Sequence, residues 1–147
     1  MKIIKATKND IETLMKIRME MLKEVNSLSD DYVFDKSFIE NCRKNFECTG
    51  ETQTDILCIE NGEPVACANL CYLSMMPTFS HPTGKRAHLM NVYVKKNFRR
   101  KGLAKNLIEE AKSRKVKEIS LDATEKGRPL YESMGFCCND SAMTMKL

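Results

Sequence analysis

Six of the twelve residues in KKNFRRKGLAKN, from Lys95 to Asn106, are basic, and Gly102 and Ala104 follow Arg99 by three and five positions. The apolar strand end Val92, Tyr93, Val94 comes just before, and helical spacing begins just after. A helix placed there presents first-turn N–H groups with no internal partner, and its dipole attracts negative charge. Gly102 lets backbone approach a ligand closely, Ala104 avoids crowding the next turn, and Arg99, Arg100, Lys101 and Lys105 add positive charge. The terminus contributes about 0.3–1 kcal/mol per anion and each charge-assisted hydrogen bond about 1.5–3 kcal/mol, so several together could hold a pyrophosphate. A basic turn can equally be a solvated element, and its surroundings must decide.

The elements around it form a mixed pattern. Ile3 and Ile4 open a short strand, and Asn9 or Asp10 caps a helix whose apolar face is Ile11, Leu14, Met15, Met21, Leu22 and Val25, with Arg18 the charged intruder. Residues 34–46 predict a second helix. Two strands, 55–60 and 64–73, are joined through Asn61-Gly62, a strong hairpin signal. A long loop with two prolines and a glycine then leads to a strand over 87–94. Ala104, Leu107, Ile108 and Ala111 predict a helix to about Arg114, and Ile119 and Leu121 mark the next strand, so strand–helix–strand implies a parallel crossover. KGRPLYESMGF reads as a short helix with Pro129 in its first turn and Gly135 past its end, and residues 137–147 as final strand material.

Two motifs in order resolve the ambiguity of the basic turn. Arg99-Arg100-Lys101-Gly102-Leu103-Ala104 fits Arg/Gln-x-x-Gly-x-Gly/Ala, and Leu130 to Phe136 reads Leu-Tyr-x-x-x-Gly-Phe. Together they resemble the acetyl-coenzyme A signature and the later tyrosine element of the GCN5-related N-acetyltransferase superfamily. The specific motifs lie in 91–136, while the element order extends the likeness over nearly the whole chain. The resemblance implies one α/β (α+β) domain over 1–147, with a mixed sheet of six to seven strands flanked by about four helices.

It also implies transfer of acetyl from acetyl-CoA directly to an amine, with roles for particular residues. The backbone of Val92, Tyr93 and Val94 would bond the pantetheine arm. The N–H groups of Arg100, Lys101, Gly102, Leu103, Ala104 and Lys105 would hold the pyrophosphate, aided by the side chain of Arg99. Tyr131 would protonate the leaving thiolate. Asp122, ending the strand before the short helix, is the candidate base if partly buried, although a polar strand-end residue can also simply bond backbone. Some relatives carry asparagine a few positions after that strand, contacting coenzyme A; here Thr124 stands in a shorter connection. His81, His88 and Asn91 are candidates to border the acceptor site, and members of the superfamily are often dimers.

Composition excludes several rivals. There is no G-x-G-x-x-G and no G-x-x-x-x-G-K-[ST], so neither a dinucleotide nor an NTP loop is supported. The net charge of +4 demands no polyanion, and Phe98 is the only aromatic in the basic block, which argues against nucleic acid. Seven cysteines without a CxxC pair, and only two histidines, point to no metal site and to reduced thiols in the cytoplasm. The N-terminus turns polar too early for a signal peptide, and the longest weakly charged stretch, 64–77, is too short for a membrane span. A non-catalytic acyl-CoA-binding module and a nucleic-acid-binding domain remain as the competing functions.

Overall fold

Two strands buried on both faces and an Asn-Gly turn build the centre of the molecule. β2 (Gln53–Glu60) and β3 (Glu63–Ser74) pair antiparallel, with Asn61 and Gly62 both at positive φ, as a tight hairpin turn requires. The computed structural model describes residues 1–112 and 116–147; side chains at 110–112 are not described. β1 (Lys2–Lys5) flanks β2, β4 (Lys85–Val94) flanks β3, and β5 (Ile119–Leu121) lies parallel to β4, giving the order β1-β2-β3-β4-β5.

Helices cover both faces of the sheet. Leu14, Met15, Ile17 and Met21 of α1 (Ile11–Val25) pack with Phe46 of α2 (Lys36–Phe46) on Leu57, Cys67 and Tyr93. On the other face Leu103, Leu107 and Ile108 of α3 (Leu103–Lys112) lie against Ile56, Ala66, Ala68, Leu70, Ala87 and Leu89. The short α4 (Arg128–Ser133) adds Leu130 and Tyr131 to this second core, with Pro129 in its first turn and Gly135 at φ 92 beyond its end. The expected continuation of α3 to about Arg114 reaches outside the described residues.

Two local readings are corrected. Thr7, rather than Asn9 or Asp10, makes the capping bonds before α1: its hydroxyl accepts from the Asn9 N–H, and Asp10 turns back to accept from the Thr7 N–H at 2.8 Å. Among the described residues the sheet has five strands where six to seven were expected, and residues 137–147 form none. A strand exists only as a pairing, and no backbone hydrogen bond joins this segment to a neighbour among the described residues.

One irregularity organises the rest. Asn69 pairs with Met90 and Cys67 with Tyr93, so two steps along β3 face three along β4, and Asn91 takes a left-handed backbone (φ 56) at this bulge. The extra residue reverses the alternation of β4. Before it Ala87 and Leu89 point to the α3 layer; after it Val92 and Val94 do, while Tyr93 turns into the α1 core.

Candidate active site

β4 outruns its parallel neighbour. Their pairing stops at Leu89 and Leu121, whereas β4 continues to Val94 paired only with β3. The two strands part at their carboxyl ends, which is where open α/β sheets bind ligands. Val92, Tyr93 and Val94 therefore form one wall of a crevice, and the chain leaving β5 through Asp122 and Thr124 leads to α4 beyond it.

At the top of this wall lies the basic turn. Arg100 (φ 62) and Gly102 (φ 75) both adopt the left-handed backbone, and α3 starts at Leu103 with its first intrahelical bond from Asn106 N–H to the Gly102 carbonyl. The N–H groups of the preceding residues thus have no helical acceptor. A non-glycine residue at positive φ costs about 1–3 kcal/mol and persists only where its surroundings impose it. A Cβ on Gly102 would meet nothing within 4 Å, so there is open space before the turn. Lys101 stacks its ammonium 5.2 Å from the Phe98 ring, which also packs on the α3 core.

Arg99 also reaches α1. Its guanidinium ion-pairs with Glu24 of α1, and its Nε donates to the Val94 carbonyl at 2.8 Å. Glu24 also accepts from the Tyr93 hydroxyl at 2.8 Å. Burial alone would raise the Glu24 carboxyl, but the bonds from Arg99 and Tyr93 outweigh it and hold the group below its usual range. Burial first, and then the bond to Glu24, pushes the Tyr93 phenol up. Arg99 thus braces the end of β4 against α1. A cleft of about 780 Å³ opens beside this brace, lined by Glu20, Glu24, Tyr93, Lys95 and Phe98, with Glu20 already paired to Lys95 at 2.7 Å.

Tyr131 stands on the far side of the crevice. Its ring meets Phe136 edge-on at 5.9 Å and packs into the α3 core, and its hydroxyl makes no hydrogen bond among the described residues. Burial raises its phenol above the ordinary value, so the proton is retained. Thr124 folds the turn before α4: its hydroxyl accepts from the Gly127 N–H at 3.1 Å and its carbonyl from Arg128 at 2.9 Å.

The partly buried setting expected for Asp122 is not what the chain builds. β5 ends one residue earlier, and the Asp122 side chain is fully exposed (101%) with Oδ2 3.7 Å from Nε2 of His88. His88 Nδ1 lies 2.9 Å from the Ser120 hydroxyl, so His88, Ser120 and Asp122 share the rim where β4 and β5 part. Asn91 stands at the bulge, its Oδ1 accepting from Arg18 at 2.9 Å. His81 belongs elsewhere. Arg86 can only donate, so the 3.1 Å contact makes His81 Nδ1 an acceptor, and Nε2–H donates to Glu118 at 2.6 Å, ahead of β5.

Two supports went unread in the sequence. Glu24 lies on the face that α1 turns to the end of β4, a placement that only packing reveals. Asp55, wholly buried, accepts from Gln53 at 2.7 Å, from Asn69 at 2.8 Å and from the Thr49 hydroxyl, bracing β2 and β3 beneath the bulge. Among the described residues no group of three His, Cys, Asp or Glu side chains is placed to hold a metal ion, all seven cysteines are free, and no helix is long and apolar enough to cross a membrane.

Comparison with known proteins agrees with this geometry. Residues 52–138 match the family model described as acetyltransferase (GNAT) domain. A 79-residue stretch is 32% identical to glucosamine 6-phosphate N-acetyltransferase of Trypanosoma brucei brucei, covering 51% of this chain and about half (54%) of that protein. Among solved structures, a predicted acetyltransferase from Clostridium acetobutylicum, determined with acetyl-CoA, superposes with a TM-score of 0.83 at 24% identity, over 99% of this chain and 95% of that one. A GCN5-related N-acetyltransferase from Ralstonia eutropha JMP134 gives 0.76 at 24% identity, over 99% and 97%. At these identities the structures share the fold, and the family match reaches over both motifs and the crevice between them. The chain belongs to the GNAT acetyltransferase family.

Proposed function

We propose that this chain transfers the acetyl group of acetyl-CoA directly to a primary amine of a small molecule, an amino acid derivative or a protein. The observation that carries the reading is the end of β4, which runs on past its pairing with β5 and is unpaired on that side, leading to a left-handed, basic helix start, with the phenol of Tyr131 on the helix that follows β5. The N–H groups from Arg100 to Lys105 hold the pyrophosphate, with Lys101 and Lys105 adding charge, and the backbone of Val92 to Val94 aligns the pantetheine. Arg99, tied to Glu24, keeps this wall in place instead of meeting the phosphates itself. The similarity to a glucosamine 6-phosphate N-acetyltransferase adds phosphorylated amino sugars to the acceptors worth testing.

The chemistry requires a neutral amine, yet a lysine-like amine of pKa about 10.4 is only about one part in a thousand neutral near pH 7.4. Asp122, fully exposed beside His88 at the open rim, passes that proton on to solvent instead of acting as a buried base. The nitrogen then attacks the thioester carbon, the C–S bond breaks, and Tyr131 gives its proton to the departing sulfur. A phenol kept protonated by burial suits this task. Seven free thiols suit a reducing compartment such as the cytoplasm.

Thiol release measured across a panel of amines identifies the acceptor. Tyr131→Phe should leave acetyl-CoA affinity nearly intact by calorimetry while slowing turnover about tenfold or more. Turnover unchanged from pH 7 to 9 would remove Tyr131 from the mechanism. Failure of the unaltered chain to bind acetyl-CoA at millimolar concentration would remove the whole reading. Binding without turnover on any amine would instead favour the non-catalytic acyl-CoA module.

A further inference from the structure

Ile119 and Leu121 pack into the α3 core, so the alternation of β5 turns Ser120 to the opposite face of the sheet. Ala87 and Leu89 pack into the same core, which sends His88 to the face of Ser120. The two residues are direct cross-strand partners, and Asp122 follows one residue past the end of β5. Their contacts run in order. Ser120 Oγ lies 2.9 Å from His88 Nδ1, and His88 Nε2 lies 3.7 Å from Asp122 Oδ2. The transfer reaction proposed above gives the Ser120 hydroxyl no task.

The chemistry of the three groups fixes where the protons lie. A carboxylate only accepts, so Nε2 of a neutral His88 turns its hydrogen toward Asp122 and leaves the lone pair on Nδ1. Ser120 then donates its hydroxyl proton to Nδ1, since the Ala87 carbonyl, at 3.4 Å, is the weaker acceptor. A hydroxyl bonded to an imidazole whose far nitrogen faces a carboxylate has the arrangement of an activated nucleophile. A donor for an oxyanion comes from the next residue. Ala87 pairs with Ile119, and its N–H donates to the Glu118 carbonyl at 3.0 Å. In a parallel ladder this turns the Ser120 N–H toward β4 and the Leu121 N–H to the outer edge, where the sheet has no further strand among the described residues.

We propose that Ser120, His88 and Asp122 give this chain a second activity, the hydrolysis of small neutral carboxylic esters at the open rim. Ser120 Oγ bonds to the acyl carbon while its proton passes to His88 Nδ1, and that proton leaves with the alcohol as the ester C–O bond breaks. Water then attacks the acyl-serine, giving its proton to His88, which returns it to Ser120 Oγ as the carboxylic acid departs. Asp122 orients the imidazole and does not touch the ester. Met90, 44% exposed on the face of His88 and 3.9 Å from the Cys71 sulfur, offers an apolar shelf for a short acyl chain. The Asp122 carboxylate disfavours anionic esters. This activity uses no acetyl-CoA and stands or falls apart from the transfer reading.

The full chain should hydrolyse p-nitrophenyl acetate about tenfold faster or more than imidazole at the same concentration, and diisopropyl fluorophosphate should label Ser120, as located by peptide mass spectrometry. Exposed Cys137 and Cys138 also react with aryl esters, so rates are measured on the chain carrying Cys137→Ala and Cys138→Ala. Ser120→Ala changes only an exposed hydroxyl, so its circular dichroism should stay that of a folded chain, while the label is lost and hydrolysis slows about tenfold or more. His88→Gln should slow hydrolysis and labelling alike, which keeps the test open if Ser120→Ala folds poorly. Asp122→Asn should lower kcat with KM unchanged, as a positioning role requires. Absence of the label, a label on another residue, or hydrolysis that both Ser120→Ala and His88→Gln leave unchanged would overturn the proposal.

Discussion

Replacing Gly102 by alanine separates the conformational cost of the turn from its use as a cradle. The residue sits at φ 75, where an L side chain costs about 1–2 kcal/mol, but the added Cβ would meet nothing within 4 Å. Without a clash, the free protein should lose only that strain, about 2–8 °C of melting temperature for a chain of this size. Relieving the strain requires rotating the backbone, which disperses the N–H groups that converge before α3. Each charge-assisted bond lost to the pyrophosphate is about 1.5–3 kcal/mol, so acetyl-CoA affinity should fall about ten- to a hundredfold by calorimetry. Gly84→Ala is the control. Gly84 has the same backbone preference (φ 63), but its Cβ would lie 2.1 Å from the Met75 carbonyl oxygen, far from the crevice. It should lower the melting temperature more than Gly102→Ala and leave acetyl-CoA affinity unchanged. If Gly102→Ala melts as expected yet binds acetyl-CoA like the unaltered chain, the turn is not the cradle.

Further outcomes follow from the same geometry. Gly102→Glu should abolish acetyl-CoA binding, by placing bulk and negative charge before the helix start. Glu24→Gln should destabilise the chain by about 1–2 kcal/mol at pH 7, since Arg99 loses its anion. Because the Glu24 carboxyl is depressed by folding, its stabilisation is present above the unfolded value near 4.3 and lost as pH falls through the lower folded value. Denaturation curves of the two proteins should therefore converge in acid, and a difference that persists there would assign the effect to packing. Asp55→Asn turns an amide toward donors that the carboxylate had satisfied, and should cost about 2–4 kcal/mol in urea unfolding with no change in acetyl-CoA affinity of the folded protein.

Local chemistry determined much of this protein before any packing was known. The Asn61-Gly62 turn, Pro129 and Gly135 around α4, and the glycine spacing after Arg99 act through their own backbone preferences, so their meaning is readable within a few residues. The paired motifs carried the family and both ends of the crevice in the same way. Tertiary structure decided what depends on partners distant in the chain. Glu24, 75 residues before Arg99, ties the Arg99 guanidinium to α1, a contact that no local signal announces. The bulge at Asn91 reversed the faces of β4, because register against β3 is a property of two strands. Asp122 became exposed because β5 stopped one residue short of it. Residues 137–147 read as final strand material, but a strand exists only as a pairing, and no backbone hydrogen bond joins that segment to a neighbour among the described residues.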